Sequence, residues 1–127
     1  MSHRWQPAAS IGLYCVEIRT SDWHASVEWY RSVLGLRVLV RVVDDAYALL
    51  EAGETRLSLL GRPQPGEISR RISLAFEVDD LDTVAQRLEK SGTSLTQPQK
   101  DGEGLREVNT TDPDGNPIRI FEWPKDR

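Results

Sequence analysis

A chain of 127 residues, 39% of them hydrophobic and 28% charged, has the size and composition of one ordinary folded domain. Its formal net charge of -4 comes from 20 acidic and 16 basic residues mixed along the chain, so it lacks the basic field that a nucleic acid partner requires. No apolar run reaches the roughly 18 residues that cross a bilayer, and MSHRWQPAAS lacks the apolar core of a secretory signal, so we expect a cytoplasmic protein without a membrane partner.

The first half of the chain predicts a strand, a helix and three further strands. Residues 11–19 alternate as in a half-buried strand. Ser21 or Asp22 can cap the helix that follows, whose apolar residues recur at helical spacing until Gly35 ends it. Three antiparallel strand candidates then occupy 36–43, 46–51 and 55–60. The order is βαβββ.

The second half repeats this order after a linker at 62–69 that is rich in proline and glycine. A strand at 70–78 leads into a helix that Asp79 or Asp80 can cap. Strand candidates follow near 94–99, 106–111 and 116–123, with DPDGN as the turn between the last two.

The repeated element order indicates two similar modules. Aligning Asp22 with Asp80 lays Cys15 on Ser73, although few residues are identical between the halves. The sequence therefore predicts an α+β fold in which two βαβββ modules form a curved mixed-sheet cup. The module boundaries fall at about 10–61 and about 70–124, within a single domain over 1–127.

Alternation along the strands predicts one face of the sheet under the helices and an opposite, polar face. The expected helix side comprises Val16, Ile18, Leu57, Leu59, Leu74, Phe76, Val78, Ile118 and Ile120. The expected polar side comprises Cys15, Glu17, Arg19, Arg56, Ser58, Ser73, Ala75, Glu77 and Arg119. That polar side is either the solvated face of an antiparallel sheet or a binding surface.

Three segments carry a family resemblance over nearly the whole chain. They read RTSDWHASVEWYRSVLGLRVL, LAFEVDDLDTVAQRLEKSG and TDPDGNPIRIFEW. In this order and spacing they resemble the vicinal oxygen chelate superfamily, which contains glyoxalases, extradiol dioxygenases, fosfomycin resistance enzymes and bleomycin resistance proteins. The resemblance implies two βαβββ modules that roll into a cup, and it implies a homodimer.

The metalloenzymes of this superfamily hold a divalent ion with histidine, glutamine and glutamate, which suit iron, nickel, manganese or zinc. Carried over residue by residue, the ligand positions fall on Cys15, Ser58, Ser73 and Arg119. Of these side chains, only the Cys15 thiolate is a type of group that can coordinate such a metal. We therefore expect no metal and no other cofactor.

Arg119 stands where metal-binding relatives carry a carboxylate. A guanidinium cannot coordinate a cation, but it offers a planar fork of donors to a carboxylate or phosphate. The competing interpretation is an ion pair with Glu17 or Glu77 across the sheet. Arg119 can form such an ion pair and also bind a ligand.

The remaining candidate residues have simple alternatives. Cys15 is the single cysteine, so no intrachain disulfide forms, and we expect a small packing residue rather than a nucleophile. His3 and His24 are expected at the surface. Glu17 or Glu77 could act as a general base if desolvated, although neutralisation by neighbouring arginines is the simpler role.

Two functions from different classes fit these residues. One is a metal-independent small-molecule-binding protein of the bleomycin-resistance type, a homodimer that sequesters an antibiotic or metabolite. The other is a glyoxalase-like lyase or a dioxygenase-like enzyme with an atypical site, so enzymatic activity stays open. A structural or regulatory dimer without a small ligand is a third possibility. No catalytic residue is assigned, and the expected ligand-binding residues are Cys15, Glu17, Arg19, Arg56, Ser58, Ser73, Glu77 and Arg119.

Overall fold

The computed structural model describes residues 10–125, which form two consecutive βαβββ units. The first unit comprises β1 (Val16–Thr20), α1 (Trp23–Glu28), β2 (Arg37–Val42), β3 (Tyr47–Ala52) and β4 (Thr55–Gly61). The second comprises β5 (Leu74–Glu77), α2 (Leu81–Lys90), β6 (Gln99–Lys100), β7 (Arg106–Thr111) and β8 (Pro117–Glu122). The predicted element order is confirmed, and His3 lies outside the described residues.

Both helices begin at a capping aspartate, as predicted. The Asp22 carboxylate accepts a hydrogen bond from the amide of Ala25 at 3.2 Å, and Asp80 accepts one from the amide of Thr83 at 3.1 Å. α1 continues into a wider π-helical turn over Trp29–Val33, and Gly35 then turns the chain with a φ of 78°. Neither helix in the described part of the chain is long and apolar enough to span a bilayer.

Each unit contributes its own four-stranded mixed sheet, so the fold is α+β. The strand orders are β1-β4-β3-β2 and β5-β8-β7-β6. β1 pairs with β4 in parallel and β5 pairs with β8 in parallel, whereas the other pairs are antiparallel. The first strand of each unit is therefore an edge strand of its sheet.

One hydrophobic core draws on both units. It includes Val27 and Tyr30 from the first helical segment, Leu81 and Leu88 from α2, and Ile120 from β8. The residues predicted on the helix side are either buried in this core or partly buried and packed against it, which confirms that prediction.

Three predicted strands are much shorter than expected, whereas the others keep their predicted bounds to within one residue at each end. β1 begins at Val16, because the ladder with β4 starts there and leaves Ile11 and Leu13 96% and 81% exposed. β5 begins at Leu74 rather than at position 70. The strand predicted at 94–99 is reduced to the Leu95 bridge and β6, since Pro98 between them has no amide to donate to a ladder.

Candidate functional site

A cavity of about 560 Å³, here called the seam cavity, lies beside the edge strand β1. One wall is β1 itself, and a second is residues 72–74, where the chain enters β5. The linker segment 65–69, here called the strap, supplies a third wall. The turn before β8 supplies the fourth through Asp114 and Asn116, together with Pro117 at the start of β8. The cavity therefore exists because two edge strands leave space that the strap and the turn enclose.

The seam cavity brings together three of the predicted site residues, namely Glu17, Arg19 and Ser73. Glu67 of the strap and Asp114 of the turn add two further carboxylates. The side chains of Glu17, Arg19 and Glu67 form no hydrogen bond or ion pair within residues 10–125. These charged groups are therefore available to a ligand.

The turn from Asp112 to Asn116 is built around a buried carboxylate. Asp112, only 4% exposed, accepts hydrogen bonds from the amides of Asp114 at 3.0 Å and Asn116 at 2.9 Å through one oxygen. Its other oxygen accepts the Asn116 side-chain amide at 2.8 Å and the Tyr30 hydroxyl at 2.6 Å. Gly115 takes a φ of 96°, which confirms the predicted turn chemistry. The turn is thereby fixed to the first helical segment.

Tyr30 is fully buried beside this carboxylate. Burial, and then the negative charge of Asp112, raise the pKa of the Tyr30 phenol far above its ordinary range, because both disfavour a phenolate. The hydroxyl is therefore a permanent donor at physiological pH. It holds the turn in the position that directs Asp114 to the cavity.

Asp114 was missed as a site residue in the sequence, where DPDGN indicated only a turn. Its Oδ1 accepts a hydrogen bond from the Ser21 hydroxyl at 3.1 Å. Its Oδ2 is buried and has no hydrogen-bond partner. This oxygen is covered by protein atoms, so what Asp114 contributes to the cavity is the negative charge of its carboxylate.

Arg119 lies outside the seam cavity and has a different partner from the one predicted. Its Nε donates to Glu107 Oε1 at 2.7 Å, and its guanidinium carbon lies 4.9 Å from the Phe121 ring centre. The prediction of Glu17 or Glu77 as its partner was wrong. Arg119 faces Asn109 in the antiparallel β7–β8 ladder, which makes Glu107 its diagonal neighbour.

The other predicted residues are distributed over the structure. Cys15 precedes β1, and its Sγ lies 3.7 Å from Ser58 Oγ, which is completely buried rather than solvated. Arg56 lines a separate cavity of about 150 Å³, and its guanidinium lies 4.6 Å from the Tyr14 ring centre. Glu77 lines another cavity, of about 350 Å³.

The side chains at the inherited metal-ligand positions do not fit a divalent cation. Arg119 brings a positive charge, while Ser58 and Ser73 bring neutral hydroxyls and Cys15 a single sulfur. Within residues 10–125, no group of three or more histidine, cysteine, aspartate or glutamate residues comes together to hold a metal. We therefore derive no chemistry through a metal.

Comparisons with known proteins agree with this fold. The family model described as "Glyoxalase/Bleomycin resistance protein/Dioxygenase superfamily" matches residues 12–120. "Uncharacterized protein YraH" of Bacillus subtilis (strain 168) is 28% identical in an alignment of 121 positions that covers 84% of this chain and 94% of that protein.

Two solved structures are also similar. TnmS3, an antibiotic binding protein from Streptomyces sp. CB03234, gives a TM-score of 0.74 at 23% identity, over 93% of this chain and all (100%) of that chain. Lactoylglutathione lyase from Agrobacterium tumefaciens gives a TM-score of 0.70 at 21% identity, over 92% of this chain and 96% of that chain. At these identities the similarity concerns the fold.

Proposed function

Because the chain belongs to the Glyoxalase/Bleomycin resistance protein/Dioxygenase superfamily, we propose that it is a metal-independent small-molecule-binding protein of the bleomycin-resistance type. The ligand is an antibiotic or a metabolite, and it binds in the seam cavity.

The observation that carries this proposal is the seam cavity itself. Its volume of about 560 Å³ falls within the range of roughly 300–1,000 Å³ that is usual for small-molecule sites. Ile68, Ile72 and Leu74 give it an apolar lining, and a small number of charged groups can orient a ligand. The side chains at the metal positions further support binding without a metal, since they lack the ligands that a divalent cation requires.

The proposal is tested by following backbone amide signals in NMR spectra while antibiotics and metabolites are titrated into the protein. We expect shifts confined to the residues around the seam cavity. Ser73→Trp fills the cavity, so we expect it to weaken binding by about tenfold or more. Ser94→Trp introduces the same bulk at an exposed serine outside the cavity, and we expect it to leave binding unchanged. Equal affinity of both variants would contradict the proposal.

A second candidate is a glyoxalase-like lyase or a dioxygenase-like enzyme with an atypical site, which the similarity to a lactoylglutathione lyase favours. It would require Cys15 or Glu17, with further residues, to hold a metal or to act as acid and base. Elemental analysis after incubation with nickel, zinc, manganese or ferrous ions and desalting separates the two candidates. Near-stoichiometric retained metal supports the enzyme and contradicts our proposal.

We also propose that the protein is a homodimer. Val40, Val42 and Val43 are exposed on or directly after the edge strand β2, and such apolar surface favours association. Sedimentation velocity over a range of concentrations tests this. We expect a dimer that Val42→Glu weakens, and a monomer at every concentration would contradict the proposal.

A further inference from the structure

We propose that the seam cavity selects organic cations, specifically molecules that carry a primary ammonium group on an apolar body. This inference rests on the proposed function, because it takes the seam cavity as the ligand site and adds the chemical class of the ligand.

The charges around the cavity are unbalanced. Three carboxylates, those of Glu17, Glu67 and Asp114, line it together with one guanidinium, that of Arg19. Glu17 and Glu67 have no ion-pair partner within the described residues. The cavity therefore carries an excess of negative charge that a cation would offset, and the field of a concave site strengthens this preference.

Asp114 supplies a specific acceptor in addition to this general field. Its Oδ2 is buried and lacks a donor, whereas its Oδ1 is already engaged by Ser21. An ammonium group has three donors and no acceptor, so it can pair with the negatively charged carboxylate of Asp114 at the cavity wall without leaving an acceptor unpaired. A hydrogen bond between two charged groups is also stronger than one between neutral groups.

Asp114 is held in place before a ligand arrives. Its amide donates to Asp112 Oδ1 at 3.0 Å, and the other oxygen of Asp112 accepts the Tyr30 hydroxyl at 2.6 Å. The acceptor therefore does not need to be ordered by the ligand, and such preorganisation reduces the entropic cost of binding.

Apolar surface lies next to this acceptor. The Ile68 side chain of the strap packs directly on Gly115, the neighbour of Asp114, since a Cβ atom at Gly115 would lie 2.9 Å from Ile68 Cδ1. Ile72, on the adjoining wall, is 69% exposed. A hydrocarbon body would cover these side chains while the ammonium group reaches Asp114, so the ligand combines both features.

A carboxylate ligand fits less well. Among the described lining residues Arg19 alone carries a positive charge, and the three carboxylates would repel an anion. The Arg119 guanidinium cannot assist, because it lies outside the cavity and donates to Glu107.

The test compares hexylammonium, hexanol and hexanoate, which share one body and differ only in the head group. Each is titrated into the full chain at neutral pH and low salt, and binding is followed by the amide signals of the cavity residues. We expect hexylammonium to bind about tenfold or more tightly than hexanol, and hexanoate to bind most weakly.

Two variants locate the effect. Asp114→Asn keeps the shape of the side chain and removes its charge, and we expect it to reduce the preference for hexylammonium over hexanol by about tenfold. Glu67→Gln on the strap removes a charge without touching the turn, and we expect a smaller loss in the same direction. Glu89→Gln makes the same change of charge on the exposed face of α2, and we expect it to leave the preference intact.

The outcomes separate the inference from the proposed function. Equal binding of all three probes in the cavity, or tightest binding of hexanoate, overturns the cation preference and leaves small-molecule binding standing. If Glu89→Gln also reduces the preference for hexylammonium over hexanol, the preference arises from the net charge of the protein. That result would overturn the role of Asp114. If none of the probes shifts the cavity residues while a larger ligand binds at another face, the seam cavity is not the site.

Discussion

Tyr30→Phe removes one buried hydroxyl and leaves the aromatic ring in the core. The hydroxyl donates to Asp112 Oδ2 at 2.6 Å, and both residues are buried. A hydrogen bond to a charged acceptor contributes about 1.5–3 kcal/mol to stability. We therefore expect the free energy of unfolding to fall by about 2 kcal/mol at pH 7. With a urea m-value of roughly 2 kcal/mol/M, the midpoint would fall by about 1 M.

The pH dependence of this difference tests the same contact independently. The pKa of Tyr30 is raised in the folded protein, so its contribution is complete below the unfolded value of about 10 and declines as pH rises above it. The difference between the native protein and Tyr30→Phe should therefore be about 1.4 kcal/mol smaller at pH 11 than at pH 7.

Urea denaturation at the two pH values measures both effects. Tyr14→Phe is the matched control, because Tyr14 is 61% exposed and the substitution should leave the midpoint at pH 7 unchanged. A loss below about 0.5 kcal/mol for Tyr30→Phe at pH 7, typical of an uninvolved surface position, would refute the reasoning. A difference that does not change with pH would refute the raised pKa.

Three further variants examine other parts of the structure. Gly61→Ala should cost about 1–3 kcal/mol in urea denaturation, because its new Cβ would lie 2.9 Å from Trp23 Cβ; a neutral result would contradict the close packing. Glu122→Ala should cost about 1–3 kcal/mol, since Glu122 accepts the buried Leu81 amide at 2.8 Å; retention of the native midpoint would argue against this contact. Arg119→Glu should leave ligand affinity in the seam cavity unchanged, as NMR titration would show, and a large loss would place the ligand beside Arg119 instead.

The fold was predictable from the sequence because its signals are local. Alternation placed Ile118 and Ile120 on the buried side of β8, and both are in the core. The capping aspartates were likewise visible, since Asp22 and Asp80 act on amides three residues away. Predictions that depend only on residues close together in the chain were thus largely correct.

The candidate site was less predictable because it depends on how the two units pack together. Arg119 lies next to Glu107 because of the register between β7 and β8. The alternation of residues along each strand does not determine that register. Ser58 was assigned to the polar face as a ligand-binding residue but is completely buried. Asp114 has no distinguishing signal in DPDGN, and only the three-dimensional structure places it beside β1 and the strap.

The bond between Tyr30 and Asp112 joins positions that are 82 residues apart in the chain. During synthesis, the first unit therefore emerges before the partner of Tyr30 has been made. At roughly 5–20 residues per second, the delay is about 4–16 s. Thr93 is likewise synthesised after Trp29, and its hydroxyl accepts a hydrogen bond from the Trp29 indole N–H at 3.1 Å. We therefore expect the Trp29 and Tyr30 side chains of the nascent first unit to lack these partners for several seconds, and hydrophobic surface that is exposed for such a time favours aggregation.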